Sequence, residues 1–191
     1  MSKSFSLLSI LSLFLLSDAK AYEGTFSVKM FPYSGSSEIY SYEKNDTLIV
    51  EFDTKVAFNT VKAKNSAKIL LSPLKVLSID SEYSKLGVKS NGYLLFKDSL
   101  IETYSSDAKV KTKTYKAAND PNDWLVLPFF LMFYEGEIYS CSMIHGDFEL
   151  SKAEEGKIKE WASENKNLIV RFEEDLFTYL KAGKIEMKRI K

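Results

Sequence analysis

The sequence predicts a mainly β chain of the α+β class, built as a single antiparallel meander with one or two helices packed on the sheet. Three observations predict it. Apolar residues recur at every second position through most of residues 24–116 and again from 136 onward, the period of a strand with one buried face. Turn-forming pairs such as Asn45-Asp46 and Asn91-Gly92 punctuate these runs, which sets sequence neighbours side by side in space. One stretch, Asn119 to Tyr134 (NDPNDWLVLPFFLMFY), breaks the alternation with an unbroken apolar and aromatic run from Trp124, and it carries the helix signals.

Residues 1–21 are predicted to be a secretory signal peptide. Lys3 gives a positive start, Phe5 to Leu16 an apolar region, and Ala19-Lys20-Ala21 the small-x-small pattern of a cleavage site. The apolar run is shorter than the roughly twenty residues that a membrane-spanning helix needs. The expected mature chain is one β-rich domain, residues 22–191, beginning at Tyr22 and exported: periplasmic in a bacterium with two membranes, otherwise secreted. Loss of Lys3, Lys20 and Asp18 leaves 24 basic against 25 acidic residues. That balance gives no basic face for nucleic acid. No second long apolar run predicts a transmembrane span after signal removal. Cys141 is the only cysteine, so no disulfide forms within the chain, and alternation makes it an inward strand position.

The strands follow in order. Phe26, Val28 and Met30 share one face of the first. Leu48, Val50 and Phe52 repeat the pattern after the Asn45-Asp46 turn, with Val56 and Phe58 continuing it. Ile69 to Leu71 and Leu74 to Ile79 lie on either side of Pro73. Asn91-Gly92 predicts a two-residue hairpin, since both residues tolerate positive φ; its register sets Val88 against Leu95 and Gly87 against Phe96. Val110 to Tyr115 (VKTKTY) alternates Lys with Val, Thr and Tyr, the composition of an exposed or edge strand.

Asp120 suits a helix N-cap, Pro121 the first helical position, and Asp123 the positive helix end. Pro128 is expected to break or kink that helix by removing an internal hydrogen bond. Gly136 to Ser142 returns to alternation, with Ile138 and Tyr139 on opposite faces, and His145-Gly146-Asp147 turns into Phe148-Glu149-Leu150. Ser151-Lys152-Ala153-Glu154 matches a capping box, and Ile158, Trp161 and Ala162 follow at helical spacing, which predicts a second helix over about 152–165. Leu168, Val170 and Phe172 form a strand. Phe177 to Lys188 supplies one or two more, with Ile185 and Met187 on one face.

Asp120, Pro121 and Leu125, then Gly136-Glu137-Ile138-Tyr139, Arg171-Phe172-Glu173-Glu174-Asp175 and Gly183-Lys184-Ile185-Glu186, together resemble a family of bacterial periplasmic proteins known as domain of unknown function 3108. That family resembles the half-barrel lipoprotein carriers of the periplasm in architecture. The resemblance covers about the last 75 residues and departs from the family pattern at Asp123, where the motif has Ser, and at Phe129, where it has Arg. It implies a curved meander or half-barrel with its helices on the concave face, and a periplasmic location. It supplies no activity and no site.

The chemistry-bearing residues are few. His145 is the only histidine, so with Cys141 it falls short of the three or four ligands of a zinc site, and no metal or cofactor is expected. No Gly-x-Ser-x-Gly elbow accompanies His145; the residues fit a Gly-Asp turn better than a hydrolase. Asp120 with Asp123 reads as a helix start, and Glu173-Glu174-Asp175 as a strand end and turn, ahead of paired carboxylates. Asn45-Asp46-Thr47 is a glycosylation sequon whose use depends on the secretory route. The remaining candidate is the apolar stretch, in which Trp124, Leu127, Phe129, Phe130, Met132 and Phe133 either plug the core or line an apolar pocket between helix and sheet.

Two functions compete. The first is a non-catalytic envelope protein that binds a lipid, an acyl chain or another apolar small molecule, or chaperones a lipidated partner. The second is a scaffold or assembly protein that binds another envelope protein along an exposed strand edge. A hydrolase using His145 stands behind both. Processing is tested directly: N-terminal sequencing of the exported protein is expected to begin at Tyr22, and intact residues 1–21 in a membrane fraction would show an anchor instead.

Overall fold

Fourteen antiparallel strands and one short helix make up the computed structural model, which describes residues 22–30, 32–57, 60–85, 88–97, 100–107, 109–116, 126–143 and 146–191. The strands are β1 (Tyr22–Met30), β2 (Tyr33–Lys44), β3 (Thr47–Val56), β4 (Val61–Leu71), β5 (Leu74–Lys85), β6 (Val88–Lys97), β7 (Leu100–Asp107) and β8 (Lys109–Lys116). After the helix α1 (Leu127–Leu131) come β9 (Ile138–Met143), β10 (Gly146–Glu155), β11 (Ile158–Ala162), β12 (Leu168–Glu173), β13 (Leu176–Ala182) and β14 (Ile185–Arg189). They form one open sheet in the order β8-β7-β6-β5-β4-β3-β2-β1-β14-β13-β12-β11-β10-β9.

Two meanders, β1–β8 and β9–β14, therefore meet at a single non-sequential pairing. In that pairing Val28 faces Met187 and Met30 faces Ile185. Everything else in the sheet is hairpin-connected, as the short turns predict. At Asn45 and Asp46 both φ values are positive, 51° and 56°, the arrangement of a tight hairpin turn whose twist matches the flanking strands. Glu174 and Asp175 repeat it with 51° and 64°, so this acidic pair is a turn, as expected. Gly156 and Gly183 each have φ +59° at the first position of a Gly-Lys turn followed by Ile, where glycine adopts the left-handed backbone without strain.

Alternation sets which face is buried. Phe26 and Val28 are inward on β1, Ile39 on β2, Leu48, Val50 and Phe52 on β3, and Ala67 and Ile69 on β4. On the other meander Leu168, Val170 and Phe172, then Leu180 and Met187, continue the same core. Ser37, with no exposure, also faces inward, and it shares a hydrogen bond of 2.8 Å with Thr54. Two hydroxyls on the buried face thus satisfy each other instead of remaining unpaired. On β9, Ile138 is exposed and Tyr139 buried, as their alternation predicts. The lysine-rich β8 is an outer edge of the sheet.

Several expectations are corrected. Asn91-Gly92 is not a turn: both residues lie inside β6, where Asn91 faces Glu82 and Gly92 faces Ser81 and Ser105. The reversal falls between Lys85 and Val88, so Leu95 faces Ser78 instead of Val88 and Phe96 faces Ile101. A turn signal permits a reversal without compelling one, and here ladders on both sides outweigh it. The helix expected over 152–165 is the β10–β11 hairpin, in which Glu155 faces Ile158 and Lys152 faces Trp161. Gly156 makes the turn, and the match to a capping box is a coincidence of local residues that strand pairing overrides. Residues 163–167 then form a loop closed onto β12 by Ser163, whose Oγ accepts from the Leu168 amide at 3.1 Å and whose amide donates to the Leu168 carbonyl at 3.0 Å. Pro128 does not interrupt α1. It sits in the first turn of α1, with Val126 as N-cap, where a missing N–H costs nothing. The expected helix start at Asp120, Pro121 and Asp123 lies outside the described residues, as do residues 1–21, Phe58 and His145.

Gly35 shows how closely β2 and β3 approach. A Cβ there would overlap the carbonyl oxygen of Lys55 and crowd the Val56 backbone. Around Gly156 nothing lies within 4 Å of a Cβ, and only its positive φ resists substitution. Denaturant unfolding is expected to show Gly35→Ala losing about 3 kcal/mol or more, since the backbone has to move. Gly156→Ala is expected to lose only about 1 kcal/mol. Equal losses would show that β3 yields easily.

Candidate functional site

The apolar stretch places α1 against the inner face of both meanders. Phe130 N donates to Val126 O at 3.0 Å and Met132 N to Pro128 O at 3.0 Å; the helix then tightens, with Phe133 N to Phe130 O at 3.1 Å. So short a helix has little stability of its own; it holds because its side chains are buried.

Phe129 is the centre. Its ring meets Tyr22 of β1 at 5.5 Å, Phe52 of β3 at 5.7 Å and Phe177 of β13 at 5.8 Å, each edge to face. Such pairs contribute beyond the area they bury. In a flat sheet β3 and β13, four strand spacings apart, would stand about 19 Å from each other. One ring touching both requires the sheet to bend around α1, and contacts of α1 with β5 as well as β13 require the same.

A second aromatic group continues from Phe130. Its ring lies 5.2 Å from Tyr139, and Tyr134 lies 5.0 Å from Tyr139 and 5.7 Å from Trp161. The Tyr134 hydroxyl donates to Ile138 O at 2.9 Å, tying the segment after α1 to the start of β9. Trp161 has no exposure, and its indole N–H finds no acceptor among the described residues. Beside it on β10, the Lys152 stem is covered while its ammonium reaches out to Glu137 at 2.7 Å and Glu154 at 3.4 Å. The Glu137 hydrogen bond raises the Lys152 pKa, so this lysine is a fixed cation and no proton-transfer group.

The expected ligand wall divides in two. Leu127, Phe129 and Phe130 are buried, with Phe129 fully enclosed, whereas Met132 and Phe133 are only partly buried and pack on the margin of the core. Trp124 lies outside the described residues. Sequence reasoning missed Tyr22, Tyr134, Tyr139 and Trp161 as members of the same aromatic assembly. Trp161 was hidden by the helix expected around it, and Ile158–Ala162 (IKEWA) carries no apolar alternation that would have marked a strand. No group of three or more metal-ligating side chains is found among the described residues, and no described helix is long and apolar enough to cross a membrane.

Tyr22 anchors the opposite side. Its hydroxyl donates to Phe177 O at 2.8 Å, and the Arg189 guanidinium lies 5.1 Å over its ring. Burial pushes the phenol pKa up to about 12, with Arg189 pulling the other way.

Comparison with known protein families, curated proteins and solved structures gives no match for this chain.

The Tyr22 phenol gives an alkaline test. Its folded-state pKa is raised from 10.0 to about 12, so the fold keeps a proton that the unfolded chain has begun to lose. The stabilisation is complete below pH 10 and is lost as pH rises through about 12. Tyr22→Phe is expected to lower stability at neutral pH through the lost hydrogen bond, by about 1 kcal/mol. It should also flatten the decline between pH 10 and 12, read from denaturation midpoints. An unchanged slope would mean that Tyr22 does not titrate with unfolding.

Proposed function

We propose that the chain is an exported, non-catalytic envelope protein whose bent sheet is a half-barrel with α1 on its concave face. It holds an apolar molecule there, a lipid or acyl chain, either free or attached to a lipidated partner. The observation that carries this reading is the split within the apolar stretch. Phe129 is locked between β1, β3 and β13, while Met132 and Phe133 remain partly uncovered beside it. A helix that was only a plug would have no reason to leave an adaptable Met and an aromatic at its margin. The unpartnered indole N–H of Trp161 adds a buried donor on the same side, next to Tyr134 and Tyr139.

A second reading keeps one specific support. β8 and β9 are both edges of the sheet, and only β8 is guarded by lysines; β9 reads IYSCSM. An unguarded edge strand accepts a partner's strand by main-chain hydrogen bonding. This reading expects a discrete complex of fixed stoichiometry that Ser140→Pro weakens.

Trp161 reports on the apolar site once Trp124 is replaced by Phe. A saturable change in Trp161 emission is expected when palmitate or a phospholipid is titrated in. Phe133→Ala is expected to weaken that binding about tenfold, or about 1.4 kcal/mol, at small cost in stability. Phe129→Ala is expected to cost about 3–5 kcal/mol of stability. Phe130→Ala, at another buried position, is expected to cost a similar amount. No emission change across fatty acids and phospholipids, with Phe133→Ala costing as much as Phe129→Ala, would leave the stretch as core alone.

A further inference from the structure

Away from the aromatic assembly, the end of the sheet where the β1–β2 and β13–β14 connections stand side by side holds an open hollow of about 360 Å³. Its wall includes Lys29, Lys181, Lys184, Glu186, Tyr33 and Ile185. Strand register explains why the charged residues converge, while Tyr33 and Ile185, both paired with Met30 in the neighbouring row, reach the hollow at the end of the sheet. Lys29 faces Glu186, and Glu186 faces Lys181, so one row across β1, β14 and β13 presents Lys, Glu and Lys on one face. Directly opposed residues in neighbouring strands sit about 5 Å apart, so the two lysines flank the carboxylate at about 10 Å from each other. Lys184, exposed at the tip of the β13–β14 turn, brings the third ammonium.

None of the three lysines is in an ion pair among the described residues. Lys–Glu rows on a sheet face commonly neutralise themselves; this one retains two positive charges beyond the single carboxylate. The remaining wall is mixed: Tyr33, 55% exposed, and the partly buried Ile185 give it apolar surface, beside Pro32, Gly183 and the polar Ser34. An exposed aromatic beside unpaired ammonium groups in a concave surface is a recognition arrangement, since the ring packs against an organic group while the charges hold an anion.

We propose that this hollow binds a phosphate ester whose organic part carries hydroxyl groups. Lys29, Lys181 and Lys184 take the phosphate, Tyr33 and Ile185 cover the carbon skeleton, and Glu186 accepts from a hydroxyl. The hollow is large enough for a glycerol or sugar phosphate and too small for an acyl chain. It is separate from the α1 site and stands whether or not that site binds lipid. The ester is either free in solution or the headgroup of an anionic phospholipid.

The test uses amide NMR on the mature chain with three probes: glycerol 1-phosphate, glycerol, and vesicles of phosphatidylcholine with or without phosphatidylglycerol. Saturable shifts at Tyr33, Ser34, Gly183 and Lys184 with glycerol 1-phosphate and none with glycerol are expected for a free ester. Vesicle binding that requires phosphatidylglycerol, without a response to soluble glycerol 1-phosphate, identifies a lipid headgroup instead. In both cases Lys29→Gln with Lys184→Gln is expected to weaken binding at least about tenfold, and binding is expected to fall steeply with added salt. These are surface positions, so the variant folds, which its unchanged spectrum elsewhere verifies. No response to either probe overturns the proposal, as does binding that survives the double substitution.

Discussion

A single phenyl ring constrains this molecule more than any other group. Phe129 has to meet β1, β3 and β13 at once, and those strands come from opposite halves of the sheet. The only local route between the halves is the β1–β14 pairing. Curvature is therefore a requirement of packing, and the twist that strands acquire from their own chirality supplies its direction. The closing hydrogen bonds agree with this: Tyr22 on β1 reaches the Phe177 carbonyl on β13 across the intervening β14. The sheet and the helix are thus mutually dependent. Without Phe129 the two meanders keep the β1–β14 pairing, the Tyr22–Phe177 hydrogen bond and their shared apolar face. Without the bend, α1 has nothing on its far side.

Much of this architecture was legible in the sequence, because alternation is a local signal. Phe26 with Val28, Leu48 with Val50 and Phe52, and Leu168 with Val170 and Phe172 all lie inward as their spacing predicts. The antiparallel meander follows from short turns between such runs, and the edge position of β8 from its lysines. Errors arose where a local signal competed with a distant partner. Asn91-Gly92 favours a turn, but β5 and β7 offer ladders on both sides. Ser151 to Glu154 matches a helix start, but Ser151 faces Ile138 and Ala162 in the sheet. No window of a few residues contains the partner that decides such cases.

The site was legible in part for the same reason. The run from Trp124 to Tyr134 stood out by composition, and its buried members do form the centre of the core. Composition could not divide Leu127, Phe129 and Phe130 from Met132 and Phe133, since all five are equally apolar. Their separation comes from where α1 ends. The ring partners Tyr22 and Phe177 are also 155 residues apart, beyond the reach of any pattern read along the chain. The lysine hollow had no sequence signature at all, because Lys29 and Lys181 meet only through the pairing of the first and last strands.

All-round burial gives the bend a second, independent support. Leu127, Pro128, Phe129, Phe130 and Leu131 are all buried, although consecutive residues of a helix point about 100° apart. A helix lying on a flat sheet hides one stripe and shows the other to water. Covering every side of five successive residues takes protein on every side, which a sheet bent around the helix provides. The turn that follows leaves this enclosure: Met132 and Phe133 are partly covered, and Glu135 is exposed. The margin of the core thus falls within two or three residues of its most enclosed point. A small displacement of this turn, which is held to β9 by the Tyr134–Ile138 hydrogen bond, would uncover apolar surface while Phe129 stays in place. That is the physical reason the proposed apolar site has its mouth placed at Met132 and Phe133, with Phe129 as the fixed floor beneath it.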